Sequence, residues 1–203
     1  MEYQTFMLGE MMVNCYLVWS GNEAGVIDPG GPVDEIIRFL EKKELKLKWI
    51  VNTHGHVDHI IGNGELVRRY GVPIFIHHND RMMLNSPTAN LSAFLGENII
   101  SPDAAAELKD GETISLGNES LTVIETPGHT PGGICLYTKG LLFSGDTLFQ
   151  ESIGRTDFTG GSHQQIIASI KNCLFVLPDE TSVLPGHGLS STLGYEKGNN
   201  PFL

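Results

Sequence analysis

Three imidazoles and a carboxylate fall within six residues in the stretch Thr53-His54-Gly55-His56-Val57-Asp58-His59. Imidazole nitrogen and carboxylate oxygen are the donors that borderline divalent cations such as Zn²⁺ prefer, and a strand-to-helix loop lets alternate side chains converge on one point. On this spacing His54 and His56 can share one ion while Asp58 and His59 serve a second. An ion needs more than two ligands, and the later chain supplies His129 in Thr-Pro-Gly-His, Asp146 in Ser-Gly-Asp-Thr and His187 in Pro-Gly-His-Gly, each just past an expected strand. Strand ends that meet along one sheet edge would bring all seven together, and the flanking glycines allow the close backbone approach such loops require. Asp146 can bridge the two ions. Any one of these residues alone is usually a core or surface histidine or a turn aspartate; as a set they point to metal binding.

Two ions side by side acidify a water and polarise the electrophile it attacks, so hydrolysis needs no protein nucleophile. The serines lack a Gly-x-Ser-x-Gly elbow and no cysteine neighbours a base, which leaves a covalent acyl-enzyme route without support. Asp58 is placed to orient or deprotonate the water. A thioester suits such a centre, because a thiolate whose conjugate acid has a pKa near ~8.5 departs without a strong general acid.

The elements that must position these groups alternate. Residues 11–20 and 24–28 are β-rich around Gly21 and Asn22 and form an opening hairpin, and Ile36, Ile37 and Leu40 recur at helical spacing between 34 and 44. A buried strand runs from Trp49 into the histidine cluster, a helix spans 60–70 and ends at Gly71, and 73–78 is a further strand. His77 and His78 then point to opposite strand faces, and His163 begins a helix, so these three histidines stand outside the site. Residues 79–118 show no clean period and are expected to form short helices and loops lining the site mouth. Strands follow at 121–126, 133–138 and 141–146, then a helix opened by Ser162 and Gln165, and a last strand at 182–187.

At 203 residues, 40% hydrophobic and 18% charged, with 24 glycines, one domain spanning 1–203 is expected. The net charge of −11 repels polyanions and anionic lipid, which argues against nucleic acid and membrane partners. Glu2 and Glu10 stand where a signal peptide would carry basic residues, and no apolar run approaches a membrane span, so the expected location is cytoplasmic. Cys15, Cys135 and Cys173 fit neither a disulfide framework nor a CxxC pattern and are expected to be buried thiols.

The motifs THGHVDH, TPGHTPGG, FSGDTLF and LPGHG, in this order, resemble the metallo-β-lactamase fold superfamily. The resemblance implies an α/β architecture, an αβ/βα four-layer sandwich of two mixed sheets with outer helices and a dinuclear centre at one edge. It implies that His54, His56 and His129 hold the first ion, Asp58, His59 and His187 the second, and that Asp146 bridges them. Zn is the expected metal, with Fe or Mn as alternatives, since all accept these donors. The segments SIGRTDFTGG at 152–161 and GHGLSSTLGYEKGNNPF at 186–202 look like compact bacterial glyoxalase II-like proteins. That implies hydrolysis of S-D-lactoylglutathione or a related small-molecule thioester. Arg155 can meet a substrate carboxylate or brace its loop through Asp157, and Phe149 is a candidate for the pocket wall. The chief rival of the same fold is a persulfide dioxygenase, which uses one iron on two histidines and a carboxylate, here His54 or His56, His129 and Asp146; lactonase activity is another.

Overall fold

A computed structural model describes residues 1–203. Strands β1 (Glu2–Leu8), β2 (Val13–Ser20), β3 (Glu23–Ile27), β4 (Lys46–Val51), β5 (Ile74–His77) and β6 (Ala106–Leu108) lie side by side in that order in one mixed sheet. The second sheet comprises β7 (Thr113–Leu116), β8 (Glu119–Glu125), β9 (Ile134–Thr138), β10 (Leu141–Gly145), β13 (Ser182–Pro185) and β14 (Ser191–Thr192). Its spatial order is β14-β13-β10-β9-β8-β7, and a short ribbon of β11 (Leu148–Phe149) and β12 (Ser152–Ile153) stands beside it. Helices α1 (Asp34–Lys42), α2 (Val57–Ile60) and α3 (Asn63–Tyr70) belong to the first half, α4 (His163–Ser169) and α5 (Leu193–Asn199) to the second.

The layering follows from which faces are apolar. Every residue of β2 from Val13 to Trp19 is buried, because both faces of that strand are covered. Val13, Cys15 and Leu17 face outward against Ile36 and Leu40 of α1 and Leu66 of α3, while Tyr16 and Val18 face inward. The inward set meets Leu121, Val123, Leu136 and Phe143 of the second sheet, whose far face packs Leu142 and Val183 against Ile166, Ile170 and Leu193. Three apolar layers thus separate four layers of backbone, the αβ/βα sandwich expected from the motifs. No helix is long and apolar enough to cross a membrane.

Direction matters more than order for the site. β3 and β4 run parallel, and β9 is antiparallel to both β8 and β10, so β8, β10 and the parallel partner β13 all point one way. Asp28, His54, His129, Asp146 and His187 each lie a few residues past the C-terminal end of one of these five strands. Tyr16 Oη donates to Pro185 O at 2.7 Å and Asn14 Nδ2 to Pro185 O and Gly188 O at 3.0 and 2.9 Å, which ties the His187 loop to the opposite sheet.

The structure departs from the sequence expectations where elements are short or exposed. β1 went unread because only Leu8 of it is buried, leaving no alternation to detect. β6 and β7, with 3 and 4 residues, lie inside the stretch expected to hold only short helices and loops. The expected helix over 60–70 is two pieces, α2 and α3, and α5 forms despite its glycines because Thr192 accepts from the Tyr195 amide at 3.2 Å. β5 stops at His77 and a tight helical turn begins at His78, so the rings of His77 and His78 lie 4.2 Å apart instead of pointing to opposite faces. Cys15 and Cys135 are buried, whereas Cys173 is half-buried.

Phe143 sits wholly buried between the sheets, 5.1 Å from the Tyr16 ring and 6.2 Å from Tyr3, both edge-on. Phe143→Ala is expected to cost about 3–5 kcal/mol, read as a lowered urea midpoint at unchanged slope. A loss below about 1 kcal/mol would mean that the inter-sheet layer collapses around the void.

Candidate metal centre

Each of the seven singled-out side chains reaches the same edge of the sheets. Three sets of donor atoms lie within 4.8 Å of one another: His54, His56 and His129; Asp58, His59 and His187; and His54, His59 and Asp146. The third set takes one member from each of the other two, so Asp146 stands between them.

The rings are aimed by bonds on their outer sides. Asp28 accepts from the Thr53 amide and from Thr53 Oγ1, each at 2.7 Å. With its proton committed, Thr53 Oγ1 can only accept from His54 Nδ1 at 3.2 Å, which leaves the lone pair of His54 on Nε2. His59 Nδ1 lies 3.0 Å from Asp28 Oδ2, in ion-pair range though off the line of a hydrogen bond, and turns its Nε2 inward. His129 Nδ1 donates to Arg155 O at 2.7 Å and His187 Nδ1 to Met11 O at 3.1 Å, so both expose Nε2. This outer ring of acceptors sets tautomer and orientation for metal-ligating histidines generally.

Inside the ring three donor atoms lack partners. His54 Nε2, His59 Nε2 and Asp146 Oδ1 are buried without any hydrogen bond, an arrangement that costs on the order of 1–3 kcal/mol per atom unless something fills it. His56 Nδ1 and His129 Nε2 stand 3.0 Å apart, close to the ~3.3 Å between two nitrogens on one tetrahedral ion at 2.0–2.1 Å. A divalent cation fits this donor set, and the fold implies one.

Charge points the same way. Burial, reinforced by neighbouring His59 and His129, holds His54 well below the ordinary histidine range, and burial with His129 brings His56 down to about 3, so both are neutral donors. Burial would also lower His59, but Asp28, Asp146 and Asp58 outweigh it and push His59 up to about 10. Burial works to raise Asp58, yet His59 and His187 hold it below the usual carboxylate range. Three carboxylates around one histidine thus trap a proton where a cation would serve.

Two glycines let the loops close. A Cβ on Gly186 would stand 2.3 Å from Asp146 Oδ1 and 2.8 Å from His59 Cε1, and one on Gly30 would stand 1.5 Å from the Asp58 carbonyl oxygen. Gly30 therefore packs directly against the backbone of α2.

Sequence reasoning missed two carboxylates. Asp28 ends a strand as Asp146 does, the one signal that could have found it. Asp80 is buried and accepts from Gly132 N and Thr130 Oγ1 at 2.7 Å and Gly55 N at 3.2 Å, joining the His54–His56 loop to the His129 loop. Burial pushes its carboxyl up against those three donors, and nothing in its sequence neighbourhood marks it. Phe149 does not line the cavity over the centre: its ring packs 6.4 Å from His187, and Phe94 and Phe158 supply the aromatic wall instead. Arg155 does line the cavity, with its guanidinium donating twice to Asp157 at 2.8 Å.

Residues 8–187 match the family model described as the metallo-beta-lactamase superfamily. The hydroxyacylglutathione hydrolase GloC of Haemophilus influenzae is 37% identical over 196 residues, covering 94% of this chain and 92% of that protein. The crystal structure of BLEG-1 B3 metallo-beta-lactamase superposes with a TM-score of 0.95 at 37% identity, covering 100% of this chain and 99% of the other. That of TTHA1623 in a di-iron-bound form gives 0.88 at 34% identity, covering 98% and 100%.

Asp28→Asn keeps the shape of the Thr53 contacts and removes the charge behind His59. Metal affinity, measured by chelator competition, is expected to fall about 10–100-fold with the far-ultraviolet spectrum unchanged. Affinity within twofold of the parent would limit Asp28 to bracing the loop.

Proposed function

The chain belongs to the metallo-beta-lactamase superfamily, and from that premise we propose that it is a hydrolase working with two divalent cations on a thioester of the S-D-lactoylglutathione type. The observation that carries the reading is the convergence of three donor sets, with His54 Nε2, His59 Nε2 and Asp146 Oδ1 buried and unpartnered at their centre. In this reading His54, His56 and His129 hold one ion, Asp58, His59 and His187 the other, and Asp146, which shares a donor set with His54 and His59, bridges them. When bound, the pair would supply an acidified water and Lewis-acid polarisation of the thioester carbonyl.

The protein's own groups do the positioning. Asp58 is held ionised and receives His187 Nε2 at 3.1 Å, so it is a weak proton acceptor and its part is to orient the attacking water toward the carbonyl. His56, Asp58, His129, Asp146 and His187 all face the cavity, so water and substrate meet them directly, while His54 and His59 form the floor. Neither buried cysteine competes as nucleophile: burial pushes the Cys135 thiol up to about 12 and holds Cys15 well above the ordinary thiol range. Apart from the histidines assigned to the ions, the cavity lining offers no acid to serve an alkoxide or amine, and a thiolate is the leaving group that does without one. The 37% identity to a hydroxyacylglutathione hydrolase supports the same substrate class. Zn is the proposed metal, and the di-iron form of one structural neighbour keeps Fe beside it.

Metal-loaded protein given S-D-lactoylglutathione is expected to release thiol without taking up oxygen. His56→Ala should lower that rate by more than the about 100-fold typical of losing a ligand's supporting partner. Oxygen uptake on glutathione persulfide with no thiol release would place the reaction on a single iron instead, and turnover confined to a β-lactam would transfer the site to amide cleavage. Asp146→Ala is expected to reduce bound metal from two ions per chain, counted by elemental analysis. Retention of both at full stoichiometry would remove the bridging role.

A further inference from the structure

The cavity above the centre has a volume of about 360 Å³, and 6 of its 12 lining residues are hydrophobic. They come from separate parts of the chain. Met11 projects from the turn between β1 and β2, Val57 begins α2, Leu91, Phe94 and Leu95 come from the loop that follows β5, and Phe158 lies under Arg155. Phe94 is 78% exposed, Leu95 56% and Met11 41%. Single apolar residues on a surface need no explanation, but these converge on one mouth.

The loop that carries three of them is held rigidly. Leu91 sits at φ 72°, a backbone conformation that branched side chains rarely adopt. Next to it, buried Asn90 accepts from the Val57 amide at 2.9 Å and donates from Nδ2 to Met83 O and Ile99 O at 3.0 Å. Those bonds pin the loop to the first residue of α2, so the apolar wall stands at a set height above His56 and Asp58.

Charge in the cavity is committed elsewhere. Arg155 is the one lysine or arginine in the lining, and its guanidinium donates to both oxygens of Asp157 and stacks on the Phe158 ring at 3.8 Å. The acidic lining groups are Asp58 and Asp146, and the lining histidines His56, His129 and His187 belong to the donor sets of the centre. A substrate carboxylate outside the metal centre would meet no free cation there, while a methylene or aromatic arm would meet a preformed apolar wall.

We propose that, among thioesters, this cavity selects those carrying an uncharged aliphatic or aromatic arm, which lies against Leu91, Phe94, Leu95 and Met11, over those built on a charged thiol. The selection rests on the thioesterase reading above; the apolar wall itself does not. Two substrate series separate the ends of the molecule: N-acetylcysteamine thioesters with acyl groups from acetyl to hexanoyl, and lactoyl thioesters of glutathione, N-acetylcysteamine and hexanethiol. kcat/KM is expected to rise about three- to fourfold per buried methylene along one of them. The series that rises tells which end of the thioester the wall holds. The slope should flatten in Phe94→Ser with Leu95→Ser, both largely exposed and outside the core layers.

Calorimetric binding of non-hydrolysable S-alkyl-N-acetylcysteamine thioethers of increasing length to the metal-loaded protein gives a readout free of turnover. Affinity that climbs with length and flattens in the double variant supports the apolar wall as the arm's binding site even if no thioester is hydrolysed, a result that would sink the hydrolase reading and leave the wall standing. Flat affinities, or a slope that survives the double variant, would overturn the proposal. So would a preference for lactoylglutathione over both uncharged lactoyl thioesters.

Discussion

Buried imidazole nitrogens and carboxylate oxygens, turned toward one another with their lone pairs inward, are tolerable only around positive charge. Most of this molecule is arranged to hold them that way. The outward nitrogens of His54, His59, His129 and His187 each face Thr53, Asp28 or a backbone carbonyl, and the inward ones converge, those of His54 and His59 without any partner. Asp28 is the keystone of this arrangement, since it fixes the Thr53 hydroxyl and backs His59 at once. The three carboxylates that push His59 upward stand where a cation would serve.

The sandwich is what makes such an arrangement affordable. Three apolar layers stabilise the strands independently of the edge where the donors meet, so the loops there are free to adopt close and strained geometry. Parallel placement of β3 with β4 and of β10 with β13, with β8 turned the same way as β10 across the antiparallel β9, sends five loops from two sheets to the same side. Tyr16 and Asn14 then lock the His187 loop to the opposite sheet, so the two halves of the donor cluster cannot drift apart without unmaking inter-sheet bonds. The walls above the centre come from elements with less packing behind them, and there the character changes from donor atoms to exposed methionine, leucine and phenylalanine. The floor of the cavity thus concerns the chemistry, and the walls concern which molecule receives it.

What the sequence by itself determined is local and dense. The spacing of His54, His56, Asp58 and His59, and the glycine-flanked His129, Asp146 and His187, declared their chemistry because imidazole and carboxylate donors have few other reasons to cluster just past strands. The strands with strong burial on one or both faces, β2 through β5 and β8 through β10, were legible from their apolar runs for the same reason. Tertiary structure alone decided the rest. Asp28 and Asp80 each act on loops far away in the chain, and no neighbouring residue reports that partnership. The carbonyls of Met11 and Arg155, which set two tautomers, are backbone groups common to every residue and carry no sequence signal. β1, β6, β7 and α5 are too short or too exposed for a period to emerge, and they exist because a neighbouring strand or a cap satisfies their backbone. Phe149 and Phe158 are both aromatic residues near the same motif, and only the packed structure shows that Phe158 lines the cavity while Phe149 does not. Residue chemistry can be read along the chain; which donors share a centre, and which side chains stand over it, depends on contacts between residues distant in sequence, and those exist only once the sheets have packed.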